Sequence, residues 1–314
     1  MSNLIDPKIV EIRALIGKHK RWDLIFSMIG LVAMMIGVIT LLALFIDLLM
    51  DGYGRLTWDF FTSFPSRRPA EAGILSAWVG TSLVMVVTAF AAVPLGVAAG
   101  IYLEEYAPRN WMTDLIEINV TNLAGVPSIV YGLLALGLFV YILDFGQSIL
   151  TAGLTLGLLI LPVIIVATRE ALRSIPIAIR EAAYALGATR WQMVSDHLLH
   201  YSSGGILTGI IIGMARAIGE TAPIITIGAL TFIAFLPPAP LTIDPATDMP
   251  AGMFDWLFSP FTVLPIQMFN WVSRPQVEFQ VNAAATGIVI IVATLAMNAI
   301  AIWLRYRIRK NIKW

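Results

Sequence analysis

Long apolar runs separated by short polar stretches set the pattern of this chain. Leu24–Leu48 is an apolar segment of about 25 residues, long enough to cross a bilayer as a helix. Further apolar runs follow at about 74–103, 117–143, 148–168, 204–235 and 282–304. Six such runs predict an all-α, polytopic membrane protein with six transmembrane helices. The first run is too long for a signal-peptide core, and no small-residue cleavage site follows it. It is therefore read as an uncleaved first span after a polar tail, 1–23. The remaining runs form a core over 74–304. Between the first two spans, 49–73 carries Tyr53, Trp58, Phe60, Phe61 and Phe64, which suit a membrane interface. A long loop, 236–280, precedes the last span, and 305–314 is a basic tail.

The polar stretch 169–200 has a pattern of its own. Ser174 predicts an N-cap, with Pro176 in the first turn, where a missing N–H costs little. Ile175, Ile179, Ala182, Ala183 and Leu186 recur at spacings of three and four, so one helix face is apolar. Gly187 fits the position after a helix, where φ is positive. Thr189 and Gln192 match a capping box that opens the next helix. The prediction is a short amphipathic helix, a sharp turn, and a second helix returning to the membrane. Such a hairpin is either a surface for a soluble partner or a plain connection between spans.

Inside the spans, Pro94, Pro127, Pro162 and Pro223 each remove a backbone hydrogen bond and predict kinks along a pathway. The fifth span holds the most chemistry. Gly205, Gly209 and Gly213 form a small-residue stripe that permits close helix contact. Arg216 borders that stripe, and Glu220 lies four residues on, within reach of it. A charge at the bilayer centre costs about 2.5–3.5 kcal/mol on insertion scales. The pair is therefore expected to face protein or a water-filled pathway. It is either a gating pair or a self-neutralising structural one, and an arginine in a pathway suits an anion.

Composition strengthens the membrane assignment: 58% of the 314 residues are hydrophobic and 13% charged, with a mean hydropathy of +0.83. The zero net charge gives no reason to expect nucleic-acid binding. With no cysteine, disulfides, thiol nucleophiles and thiolate metal sites are excluded. Charge distribution predicts orientation. The segments 1–23, 103–117, 168–200 and 305–314 hold 15 Lys and Arg, against 4 in 49–73, 143–148 and 236–280. The positive-inside rule places the first set, both termini included, in the cytoplasm, as an even number of spans requires.

Glu181-Ala182-Ala183, three residues, then Gly187 resembles the EAA loop of ABC-importer permeases. That resemblance implies a type I, MetI-like permease fold. It makes Arg180, Glu181, Ala182, Ala183 and Gly187 a coupling helix that seats in a cytoplasmic ATPase. The family pattern continues nine residues later as Ile-x-Leu-Pro. Here these positions are His197, Leu198, Leu199 and His200, so the Leu is kept and His replaces Ile and Pro. ARAIGETAP, Ala215–Pro223, and NLAGVPSIVYG, Asn122–Gly132, are similar to segments of phosphate-importer permeases. FNWVSRPQVEF, Phe269–Phe279, resembles the last periplasmic loop of PstA-type subunits. Together the resemblances cover most of 72–304. They imply an inner-membrane subunit for phosphate import. Its partners would be a homologous PstC-type permease, a PstB-type ATPase dimer holding ATP-Mg, and a PstS-type periplasmic phosphate-binding protein. Lipid surrounds the spans. The pathway residues would be Arg216, Glu220 and Thr221.

No P-loop is present, so ATP hydrolysis is expected in a partner and not in this chain. His197 and His200 lack a third ligand nearby and read as solvated surface residues, so no metal is expected. A permease for sulfate or molybdate remains open. So does an ion-coupled secondary transporter with Glu220 as proton carrier, against which the EAA loop counts.

Overall fold

A computed structural model describes residues 7–239 and 252–309, and shows no strand among them. The ends of both basic tails and loop residues 240–251 lie outside the described residues. The chain divides into two compact units, Met1–Asp51 and Gly52–Trp314.

What is described of the first unit is helical throughout: it is helix α1, Pro7–Gly52, up to Asp51, and the helix starts well before the apolar run at 24–48. Over 22–50 most of its large apolar side chains, Leu24, Phe26, Leu41 and Leu44 among them, are exposed, while Phe45, Leu48 and Leu49 are half-buried. A helix apolar on every face is made for lipid or another apolar surface.

The second unit holds α2 (Trp58–Thr62), α3 (Leu75–Ile101), α4 (Trp111–Leu123), α5 (Ser128–Ala135) and α6 (Ile149–Arg173). It continues with α7 (Ile177–Ala185), α8 (Arg190–Gln192), α9 (Leu199–Gly219), α10 (Ala222–Thr226), α11 (Leu264–Val272) and α12 (Glu278–Arg309). Wide helical turns extend α3 over Tyr102–Tyr106 and α5 over Leu136–Ile142, and join α8 to α9 over Met193–Leu198. Among the described residues of both units, five helices, α1 included, are long and apolar enough to cross a membrane. A sixth span arises if α4 and the extended α5 are taken together.

Helix α6 is the axis. About 67% of its most apolar stretch is buried, more than for any other spanning helix described. Within lipid there is no hydrophobic drive between helices, so contact depends on small residues that let backbones approach. Gly96 and Gly100 of α3 face Ile164 and Thr168 of α6, and Gly153 of α6 faces Val87 of α3. Thr88 Oγ1 of α3 donates to the Gly153 carbonyl at 3.2 Å, a hydrogen bond that only close approach allows. On another face of α6, Gly205 and Gly209 of α9 abut Ala171 and Ala167, and Gly213 lies over Ile160 and Ile164. Ile160, Ile164 and Leu159 are buried at the centre of the resulting core. Arg305 of α12 donates to Thr208 Oγ1 of α9 at 2.9 Å, joining the last span to this stack.

Several sequence expectations are corrected. The third run is not one continuous helix: α4 and the extended α5 meet at a bend of 106°, a broken span or a re-entrant loop. Pro127 cannot donate to the Leu123 carbonyl, and it disfavours helical backbone at Val126. The fifth run does not continue to 235. Its helix stops at Gly219, and the short α10 ends at Thr226. Pro223 is the cause, because its ring would clash with the Gly219 carbonyl in a continuous helix. It sits instead in the first turn of α10, where proline is tolerated. Pro94 and Pro162, by contrast, lie inside unbroken helices. Ser174 does not cap α7. It closes α6, and its hydroxyl donates to the Ala171 carbonyl at 2.8 Å. Pro176 occupies the N-cap of α7. The loop 236–280 is not all loop, since α11 occupies 264–272.

A Cβ at position 209 would collide with the Cβ of Ala167, which is fixed to its backbone. A Cβ at 213 would meet Ile160 and Ile164 at an ordinary 3.5 Å. Gly209→Ala should cost about 1–3 kcal/mol through overpacking, and Gly213→Ala much less. Thermal unfolding of the two variants in detergent separates them. Equal loss in both would contradict the packing described here.

Candidate functional site

The two broken runs meet. Gly132 of α5 lies against Pro223 and the Thr226 hydroxyl of α10, so closely that no side chain could replace its hydrogen. The segments Asn122–Gly132 and Ala215–Pro223, far apart in sequence, thus share one place in the fold. Each break leaves backbone groups that must find partners away from water. At the first break, the Leu123 carbonyl loses its partner to Pro127. It accepts instead from the Tyr131 hydroxyl at 2.8 Å and from the Val126 N–H at 3.1 Å. At the second, the Glu220 N–H donates to the Ala217 carbonyl at 3.3 Å, and within α10 the Thr226 hydroxyl adds a bond to the Pro223 carbonyl at 2.8 Å.

Arg216 and Glu220 lie at this second break. Arg216 Nε donates to Glu220 Oε1 at 3.2 Å. Glu220 is the residue where α9 turns extended, with φ −79° and ψ 120°. The Arg216 side chain is 38% exposed and that of Glu220 20%, so the pair is neither sealed in the core nor fully in solvent. Thr221, next to it, is the N-cap residue of α10 but caps no backbone N–H. The stripe Gly205, Gly209 and Gly213 faces α6 on the side described above, and brings α9 close enough to hold this site.

The hairpin forms the second feature. Helix α7 ends at Ala185, and Gly187 follows with φ +82°, a conformation that disfavours any side chain. The capping box is present: Gln192 N–H donates to Thr189 Oγ1 at 3.3 Å, and Thr189 N–H to Gln192 Oε1 at 2.9 Å. The faces divide differently from the expected apolar set. Ile175 and Ala183 are buried against Met193, Val194 and Leu198. Ala182 is exposed, and Leu186 is 89% exposed because the helix has already ended there. The outward surface is Ile177, Glu181, Ala182, Tyr184 and Leu186. Ala183 supports the hairpin from within, and Arg180 also points inward.

A charged cluster joins the hairpin to the spans. Arg169 of α6, 6% exposed, pairs with Glu117 of α4, and its Nε lies 3.5 Å from Glu104 Oε2. Arg173 Nε donates to Glu104 Oε2 at 2.8 Å. Arg180 Nη2 donates to Glu105 Oε1 at 2.7 Å. A cavity of 340 Å³ opens beside the cluster, lined by Glu117, Thr121, Asn122, Arg169, Glu170 and Arg173. Its formal charges balance, so it is not an anion trap by charge alone. No group of His, Asp or Glu among the described residues could hold a metal ion.

The comparisons with known proteins agree with this architecture. A family described as "Binding-protein-dependent transport system inner membrane component" matches residues 92–314. The chain belongs to this family of ABC-importer permeases. Among its relatives is the phosphate transport system permease protein PstA of Yersinia pestis. It is 32% identical over 238 residues, covering 74% of this chain and 78% of that protein. The "Probable ABC transporter permease protein YqgI" of Bacillus subtilis is 35% identical over 205 residues, 65% of this chain and 69% of that one. The fold is shared with a chain of the MetNI methionine ABC transporter in an inward-facing conformation. The TM-score is 0.54 at 16% identity, over 75% of this chain and 95% of that one. The protein is thus a multi-pass inner-membrane permease subunit, of a family that works with a binding protein.

In this permease, sequence reasoning missed the cluster of Glu104, Glu105, Glu117, Arg169 and Arg173. Its members come from two separate polar stretches, 103–117 and 168–200, and from three helices. The available signals were two consecutive glutamates at the end of an apolar run, and two arginines spaced by four at the end of another.

A buried arginine with both partners removed is an uncompensated charge. The double variant Glu104→Gln, Glu117→Gln should lose about 3–5 kcal/mol of stability. Arg173→Gln, which removes a half-exposed partner, should lose about 1 kcal/mol or less. Unfolding of the purified permease checks both. A mild double variant would show that Arg169 is not held by these two carboxylates.

Proposed function

We propose that this permease carries inorganic phosphate in an ATP-driven bacterial importer. The observation that carries the reading is the extent of the match to a protein named as a phosphate permease, 78% of whose length is covered. The Arg216–Glu220 pair supports it physically. An arginine at a helix break, partly exposed and held by one adjustable partner, can present a bidentate fork to an oxyanion. At rest the two charges neutralise each other, which lowers the cost of keeping either in the membrane. When the pathway opens, Arg216 turns to the anion, and Glu220 and Thr221 face the water that follows it. The broken helices α5 and α10 supply irregular backbone where a pathway needs it. Family membership sets aside an ion-coupled secondary transporter.

The outward face of α7 is the proposed seat on the ATPase, with a second permease alongside and a phosphate-binding protein across the membrane. This requires the hairpin and both tails in the cytoplasm, and 49–73 and 236–280 on the other side. In a chain without cysteine, Ser66→Cys should react with an impermeant thiol reagent added outside cells, and Ser195→Cys should not. Outside labelling at 195 would reverse the orientation and remove α7 from the ATPase.

The decisive experiment is uptake of radiolabelled phosphate at matched membrane levels. Arg216→Gln, and the double variant Arg216→Gln, Glu220→Gln, should insert normally and lose uptake by about tenfold or more. That is the scale of one charge-assisted hydrogen bond to the substrate. Near-normal uptake in the neutral double variant would leave the pair as a structural one. Competition by sulfate or molybdate as strong as by phosphate would reassign the substrate.

A further inference from the structure

Arg180 comes immediately before Glu181, yet its side chain turns away from the surface that α7 exposes. Its Nε and Nη2 donate to Glu105 Oε1 at 3.1 and 2.7 Å. Its Nη1 donates to the Ile175 carbonyl, and Nη2 to the Leu172 carbonyl, each at 3.0 Å. One guanidinium thus ties three elements: the end of α3, the end of α6 and the first turns of α7. Both side chains are largely buried, Arg180 at 18% exposed and Glu105 at 8%. Glu105 lies in the wide turn Tyr102–Tyr106, and the preceding Glu104 binds Arg173 of α6. Two consecutive carboxylates therefore grip two different helices.

We propose that Glu105 and Arg180 are positioning residues for transport, a strut that makes α7 move as one body with the end of α3. Helix α7 is joined covalently to α6 only through Ser174–Pro176, and to α8 only through Leu186–Thr189. Its buried face rests on Met193, Val194, Leu198, Ile101 and Tyr106, contacts that are apolar and non-directional. Such contacts hold a helix down but let it roll or slide. A forked, charge-assisted contact fixes direction as well as distance. Exposed ion pairs contribute little, but a largely buried one whose donors also close helix-end carbonyls is a rigid joint. A push on α7 then reaches α3, which packs closely along α6 through Gly96, Gly100 and Gly153. Without the strut, the push is absorbed at the two loops.

This rests on α7 being the ATPase contact, and the test separates the two ideas. The complete transporter, with its ATPase and binding protein, is placed in proteoliposomes. Phosphate taken up and ATP hydrolysed are measured in the same vesicles. Glu105→Gln and Arg180→Lys should leave the ATPase bound and hydrolysing, while phosphate moved per ATP falls by about 2- to 30-fold, the range of coupling changes at non-ligand positions. A lesion that merely reduced the amount of folded permease would lower uptake and hydrolysis together and leave their ratio unchanged. That result would overturn the strut.

The double variant Glu105→Cys, Arg180→Cys tests the same joint within one preparation. Bridging the two thiols with a short bifunctional reagent should restore the ratio. An identical ratio before and after bridging would overturn the proposal. A fully coupled Leu186→Asp, Glu181→Lys double variant would instead show that α7 is not the ATPase seat, whatever the state of the strut.

Discussion

Close approach of α3 and α9 to α6 is the constraint on which the rest of this permease depends. Lipid offers no hydrophobic reward for bringing apolar helices together, so the contact must come from shape and from dispersion over short distances. Glycines at 96, 100, 153, 205 and 209 provide that shape, each facing a side chain that an added Cβ would strike. The gain is a rigid three-helix stack. Its ends carry the two features of functional interest, the helix break at Glu220 and the charged cluster around Arg169.

Rigidity there permits irregularity elsewhere. A helix broken inside hydrocarbon exposes polar backbone, which is tolerated only if other groups take over the lost hydrogen bonds. Tyr131 does this for Leu123, reaching back across the break that Pro127 makes. Gly132, one residue on, lets α5 sit directly on Pro223 at the other break. The two irregular segments therefore support each other. Arg216 and Glu220 are held at their edge, where a change of partner needs only side-chain rotation.

The charged cluster solves a different problem. The hairpin around α7 is short, and its apolar contacts are non-directional. Arg169, Arg173 and Arg180 fasten it and the neighbouring helix ends to Glu104, Glu105 and Glu117. Four elements converge on six charged side chains. Arg173 and Arg180 hold through hydrogen-bonded contacts, which fix direction as well as distance. The outward residues Tyr184 and Leu186 carry no such bonds and stay open to a partner.

Much of this was legible in the sequence by itself. The all-helical, membrane-spanning class follows from the length of apolar runs, since lipid demands continuous helices of a certain reach, but the described residues hold five spans, or six with the bent α4–α5 pair. The turn at Gly187 and the capping box at Thr189 and Gln192 are local chemistry, and they form as the residues indicate. The Arg216–Glu220 contact follows from helical spacing alone. Tertiary structure decided what local signals leave undetermined. A proline can kink a helix, break it or sit inside it, and neighbours choose among these. Pro94 and Pro162 lie in continuous helices, while Pro127 and Pro223 mark breaks that pack on one another. Whether an alanine on an amphipathic helix faces inward or outward depended on what lay beneath it, as Ala182 and Ala183 show. The cluster of Glu104, Glu105, Glu117, Arg169 and Arg173 exists only because three chain segments end at the same level of the bundle. Charges so far apart in sequence have no periodicity that could announce their meeting.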